Sequence, residues 1–181
     1  PAPDVSRPKH RKAVKKEVLF PNELKKLADT TFPNDQVCKA FLFCCYTGLG
    51  RPELKALDWS QISDGRLRYV RGKTKAQIVM KLPKTALAML PERTTGKVFP
   101  LFPSDSYCFR VLKKWMKAAE VDKHISWYCA RHTFAVLLLS SGVDIFTVSK
   151  LMGHSSVNIT QVYLNFVDKV KDDAIDRLPE L

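Results

Sequence analysis

Residues 127–163, WYCARHTFAVLLLSSGVDIFTVSKLMGHSSVNITQVY, constrain the fold more than any other stretch, because glycines and capping residues cut an apolar pattern into three short helices. Ser126 fits an N-cap, and Phe134, Leu137 and Leu138 follow at helical spacing, which places Arg131 in the second turn of a partly buried helix. Gly142 stops that helix. Asp144 can cap a second helix carrying Val148 and Leu151, and Gly153 suits the left-handed residue that ends it, leaving His154 in the turn beyond. Ser155 or Ser156 can cap a third, on which Ile159, Val162 and Phe166 share a face with Tyr163 at its edge. A phenol there is either buried or presented to a ligand.

Arg131 to Ala135 (R-H-T-F-A), then Leu151-Met152-Gly153-His154, then Tyr163 resemble in order and spacing the C-terminal half of the tyrosine recombinases, or phage-type integrases. Upstream, TGLGRPELKALDW (Thr47 to Trp59) resembles that family's first box, T-G-L-R-x-x-E-L. Gly50 stands where the family has its first catalytic arginine, and Glu53 matches the supporting acidic residue three positions later. Arg51 is displaced by one. One residue on a helix is a rotation of ~100°, so Arg51 substitutes for the missing arginine only if the helix start lets its long side chain turn back. The alternative is a solvated residue at a helix start.

Apolar and polar residues alternate on both sides of a Gly-Lys-Thr-Lys turn within Gly65 to Leu82, which predicts a β-hairpin or a small three-stranded sheet. The resemblance places a catalytic lysine at the hairpin tip, where Lys73 matches it and Lys75 is a close second. A plain phosphate contact reads equally well for a lysine in a basic turn. Elsewhere, Pro21, Asn22 and Glu23 open a short helix with Leu24 and Leu27 inward, and Pro33-Asn34 closes the loop after it. Asp35 to Tyr46 should form a core helix through Val37, Ala40, Phe41, Cys44 and Cys45. Thr85 to Leu90 should be a short helix and Pro91 to Pro103 a loop. Ser104 can cap a helix to about Ala119, with Phe109, Leu112, Trp115 and Met116 inward and Arg110, Lys113, Lys114 and Lys117 outward.

The fold expected is therefore mainly α with a small antiparallel β-sheet (α+β), like a tyrosine recombinase catalytic domain, over residues 17–181. Residues 164–181 form a C-terminal tail helix whose anchors, Val167, Val170, Ala174, Ile175 and Leu178, fit packing in cis or onto a neighbouring subunit. Residues 1–16, PAPDVSRPKHRKAVKK, read as a basic linker or arm. The N-terminal DNA-binding domains that such recombinases usually carry are expected to be missing from this chain.

Thirty Lys and Arg against eighteen Asp and Glu give a net charge of +12, which favours a polyanionic partner. Double-stranded DNA is the first candidate, with Arg71, Lys75, Lys113, Lys114 and Lys117 as its contacts. A membrane surface is second, but no apolar run approaches the ~18 residues a span needs, and a soluble, cytoplasmic protein is expected. The five cysteines show no C-x-x-C pairing and lie in apolar patterns, so free buried thiols are expected. No His, Cys and carboxylate spacing suits a metal, and no cofactor is expected.

The resemblance implies DNA recombination by transesterification. Tyr163 would attack the scissile phosphate to give a 3′-phosphotyrosyl link, Arg131 would clamp its oxygens, His154 would donate a further hydrogen bond, and Lys73 would protonate the departing 5′-oxygen. Four such subunits would act on two duplexes, with the free fragment a monomer. Tyr128 stands where the family has a histidine. Its hydroxyl can donate to a phosphate, but an ordinary pKa near ~10 makes it a poor base. His132 is assigned a supporting role, because its direction on the helix diverges from that of Arg131. Gly50 and Tyr128 keep open a DNA-binding relative with impaired or lost cleavage. A helix-turn-helix over Val143 to Tyr163, binding DNA with no covalent product, and a topoisomerase-like nickase are further alternatives.

Overall fold

In the computed structural model, which describes residues 17–31, 35–100 and 103–176, the chain is wrapped around helix α2 (Asp35–Thr47). Helix α1 (Pro21–Asp29) precedes it with Leu24 and Leu27 buried. Val37 to Cys45 of α2 are buried apart from Lys39, because apolar side chains fall on every face and leave none for solvent. Around it pack α3 (Arg51–Ala56), α4 (Lys84–Ala88), α5 (Asp105–Ala118) and α6 (Trp127–Ser140). Helix α6 is itself buried without a break from Cys129 to Val136. Three shorter helices follow: α7 (Ile145–Met152), α8 (Asn158–Gln161) and α9 (Leu164–Ile175).

The sheet is antiparallel in the order β1 (Ile62–Ser63), β2 (Arg66–Val70), β3 (Gln77–Lys81). Its register runs from Arg66 opposite Lys81 to Val70 opposite Gln77, so Leu67, Tyr69, Ile78 and Met80 all turn inward. β3 lies against α7, and Thr74 Oγ1 at the hairpin tip donates to Gly153 O at 2.8 Å. That bond ties the hairpin to the end of α7. Capping follows the sequence: Ser104 accepts from Tyr107 N, and Asp144 accepts from Phe146 N and Thr147 N at 3.0 Å. Gly153 takes the left-handed conformation (φ +61) that ends α7.

Three expectations are corrected. The third helix of the C-terminal stretch is broken at Val162 and Tyr163 into α8 and α9, so Ile159 and Val162 point to solvent while Thr160, Tyr163 and Val167 are buried. Phe109 is exposed on α5, and the smaller Cys108 and Val111 take the inward positions beside Leu112, Trp115 and Met116. In the tail, α9 packs in cis against α6 through its first turns, and Ile175 is exposed. The arm at 1–16, Pro33-Asn34, Leu178 and the side chains of Val170 and Ala174 lie outside the described residues. All five cysteines are free and buried, and burial pushes the thiols of Cys38 and Cys44 up to about 12. Among the described residues, no helix is long and apolar enough to cross a membrane.

Gly48 joins α2 to α3 at φ +69, and a Cβ there would lie 2.5 Å from the Phe134 ring on α6. Both the left-handed backbone and the overlap penalise any side chain. Gly48→Ala is expected to lower stability by about 2–4 kcal/mol, seen as a lower urea midpoint at unchanged m-value.

Candidate active site

Arg131 is the junction of the site. It is 3% exposed, and its guanidinium donates Nη1–H to Gly48 O at 2.7 Å and Nη2–H to Met152 O. One carbonyl belongs to the T-G-L turn and the other to the end of α7, so a single side chain pins two elements to α6. Among the described residues Arg131 makes no ion pair. Carbonyl dipoles satisfy donors without neutralising the charge, so a buried cation is left in need of an anion. Burial and the nearby Arg71 cation both pull its pKa below the usual arginine range.

His154 sits just beyond the Gly153 turn, its Nδ1 paired with Thr160 Oγ1 at 2.8 Å. Thr160 is fully buried on α8 and holds the ring. Burial, then Arg131 and Arg71, depress the ring to about 4, so it is neutral at pH 7. In the tautomer in which the threonine hydroxyl donates to Nδ1, the ring proton lies on Nε2.

Tyr163 opens α9 and is 3% exposed. Its hydroxyl lies 2.6 Å from Nδ1 of His132, and its ring stacks on His154 with the two planes 10° apart. Burial chiefly, with a contribution from Tyr128, raises the phenol to about 12 against the opposing pull of Arg131 and Arg71. The phenol is protonated at neutral pH.

The structure thus brings together Arg131, His154 and Tyr163, and adds Arg71 and His132. His132 was expected to point elsewhere. The divergence of neighbouring helical side chains does hold, but α6 is covered all round: Arg131 reaches the Gly48 turn and α7 while His132 reaches α9. Tyr128 is 61% exposed, its ring edge-on to His132 at 4.3 Å, with its phenol in electrostatic reach of Arg131 and Tyr163. Glu53 is mostly buried. Its Oε1 accepts from Gly72 N at 3.2 Å and pairs with Arg71 Nη1 at 2.7 Å.

Arg51 is directed away, correcting its reading as the replacement arginine. Its guanidinium pairs with Asp105 and donates to Pro103 O at 2.9 Å, at the start of α5. Arg71, read from the sequence as a DNA contact, turns inward to pair with Glu53 while the lysines of the hairpin tip stay exposed. Strand parity would have shown this, since it follows Leu67 and Tyr69 on the buried face. Lys73 and Lys75 are exposed at the hairpin tip, with Lys75 at φ +57. Lys113, Lys114 and Lys117 are exposed along α5, which contributes no side chain to the cluster. No group of three or more metal-ligating side chains gathers among the described residues.

A buried guanidinium with no carboxylate partner among the described residues, and with a neutral histidine and a protonated tyrosine in its field, lies at the centre of a helical domain with a small sheet. The fold is that of recombinase catalytic domains. It is shared with XerA recombinase (TM-score 0.69, 20% identity, covering 97% of this chain and 68% of that one). A lambda integrase dimer bound to a COC′ core site shares it too (TM-score 0.68, 20% identity, 84% and 60%). The chain belongs to the phage integrase family, which residues 17–169 match. A tyrosine recombinase of Pseudothermotoga lettingae is 31% identical over 193 residues, which cover 98% of this chain and 66% of the relative.

The ring of His154 is expected to titrate by NMR at about 4 rather than the ordinary 6.5, and Arg71→Ala is expected to raise that midpoint. The unfolded ring binds its proton at ~6.5 and the folded one only lower. The stabilisation linked to the neutral ring is therefore complete above the unfolded pKa and is lost as pH falls toward about 4.

Proposed function

We propose that this chain is the strand-cleaving domain of a site-specific DNA recombinase, working on duplex DNA as one of several subunits, four by the family resemblance. The observation that carries the reading is the buried Arg131, free of any carboxylate partner, sharing one field with His154 and Tyr163. A scissile phosphate is the anion that suits it, since a guanidinium fork matches two phosphate oxygens. The net charge of +12 supports a DNA partner.

In the proposed step, the Tyr163 oxygen forms a bond to phosphorus while the bond from phosphorus to the 5′-oxygen breaks. The phenolic proton passes to Nδ1 of His132, already 2.6 Å away, and the departing oxygen takes a proton from Lys73. Arg131 and His154 Nε2–H stabilise the charge on the non-bridging oxygens. The covalent phosphotyrosyl link keeps the bond energy for rejoining when a 5′-hydroxyl attacks in reverse. At 3% exposure Tyr163 does not reach DNA from the resting position, so duplex binding must uncover it at the break between α8 and α9.

The same burial, with Gly50 and Tyr128, favours a second reading, a relative that grips DNA without cutting it. A suicide-substrate assay separates the two: nicked duplexes tiled from the DNA flanking the gene, with EDTA present, scored on a denaturing gel. Cleavage predicts a covalent adduct that Tyr163→Phe abolishes and His132→Ala slows by ~10²-fold or more. Salt-sensitive binding with no adduct selects the second reading.

A further inference from the structure

Gly50 leaves an opening that another residue fills. A Cβ built there would lie 2.6 Å from Glu53 Oε2 and 3.1 Å from Arg71 Nη1. The space over residue 50 is therefore occupied by the Arg71–Glu53 pair, and glycine is the residue that allows it. Arg71 is delivered from the other side of the site. Its backbone closes the hairpin turn, with Arg71 N–H donating to Ala76 O and Lys75 N–H donating to Arg71 O, both at 2.8 Å. Its Cβ lies 3.5 Å from where a Cβ on Gly153 would be, so its side chain spans from the end of α7 to position 50.

We propose that Arg71 is a catalytic residue, the second phosphate-binding guanidinium of the site, supplied by the β-hairpin in place of the arginine absent at position 50, with Glu53 as its positioning residue. Three features support this. The side chains of Arg71 and Glu53 are 13% and 10% exposed, which marks a built pair and not a solvated one. Arg71 Nη1 touches Glu53 Oε1 at 2.7 Å yet makes no aligned hydrogen bond, so the pair leaves the donor capacity of Nη1 unused. Its charge acts on Arg131, His154 and Tyr163, the three groups that meet at the site. Arg51, by contrast, is spent on Asp105 and Pro103.

The assignment rests on the cleavage reading, and its test has an arm that does not. In the suicide-substrate assay, Arg71→Ala is expected to slow adduct formation by ~10²–10³-fold, the loss typical of one oxyanion donor. Arg51→Ala should leave the rate within about twofold. Moving the guanidinium, in the double variant Gly50→Arg with Arg71→Ala, should recover at least about tenfold of the loss, and it also gives Glu53 a new partner should the single variant fold poorly. Independently, in a Tyr163→Phe background, anisotropy of the same labelled duplex against salt should lose about 0.9 from its log–log slope on Arg71→Ala. If wild type forms no adduct, the cleavage reading falls while the salt slope still judges Arg71. An unchanged slope, an Arg71→Ala rate within about threefold of wild type, or no recovery in the relocated variant would overturn the assignment.

Discussion

The hydrogen bonds from Arg131 to two backbone carbonyls hold the site together and also charge it. Gly48 O lies at the turn out of α2, Met152 O at the end of α7, and both are bonded by one guanidinium rooted in α6. Carbonyls can receive a cation's N–H groups without cancelling its charge, so fixing three elements leaves a net positive centre in a buried place. A carboxylate in either role would have neutralised the site. The local glycines serve this geometry. At Gly48 a side chain would strike Phe134, and at Gly153 it would crowd Ile78, Ala76 and Arg71.

Burial and that uncompensated charge together set the state of the neighbouring groups. His154 is kept neutral first by its burial, and then because a third cation beside Arg131 and Arg71 is unfavourable. Tyr163 feels the same two cations, which favour its phenolate, but burial outweighs them and the phenol stays protonated. The resting tyrosine is thus held down by desolvation while the field around it already favours its ionised form. Adding a phosphate would offset the cations and remove that support. A proton acceptor therefore has to be at hand, and His132 Nδ1 is in contact.

Much of this was legible in the sequence. The caps at Ser104 and Asp144, the left-handed Gly153, the core helix and the β-hairpin follow from local chemistry, while β1 (Ile62–Ser63) lies outside the alternating stretch and adds the third strand. The break after Val162 was not legible, since Ile159, Val162 and Phe166 satisfy a continuous helical stripe and only tertiary contact chooses Tyr163 for burial. His132 was given a supporting role without its partner Tyr163, because a rule about side-chain direction assumes a helix with one buried face, and α6 is buried on every face over Cys129 to Val136. Phe109 yielded its inward place to Cys108 and Val111 for reasons of packing that periodicity does not carry.

Arg71 shows most plainly why a site is harder to read than a fold. Searching near Gly50 along the chain finds Arg51, because sequence proximity stands in for spatial proximity only within one element. The proposed guanidinium comes from 21 positions further on, one residue past the end of β2, where continuing the strand's parity aims Arg71 inward after Leu67 and Tyr69. What the chemistry needs is a guanidinium at a point in space, and a point can be reached from any element that borders it. Two conditions must then hold together: the old position must be emptied, and the newcomer must be braced. Gly50 meets the first and Glu53 the second, the carboxylate keeping its place three residues along α3 while the cation it pairs with comes from the hairpin. Since Gly72 N–H also donates to Glu53 Oε1, the hairpin's own backbone helps to hold the pair in register.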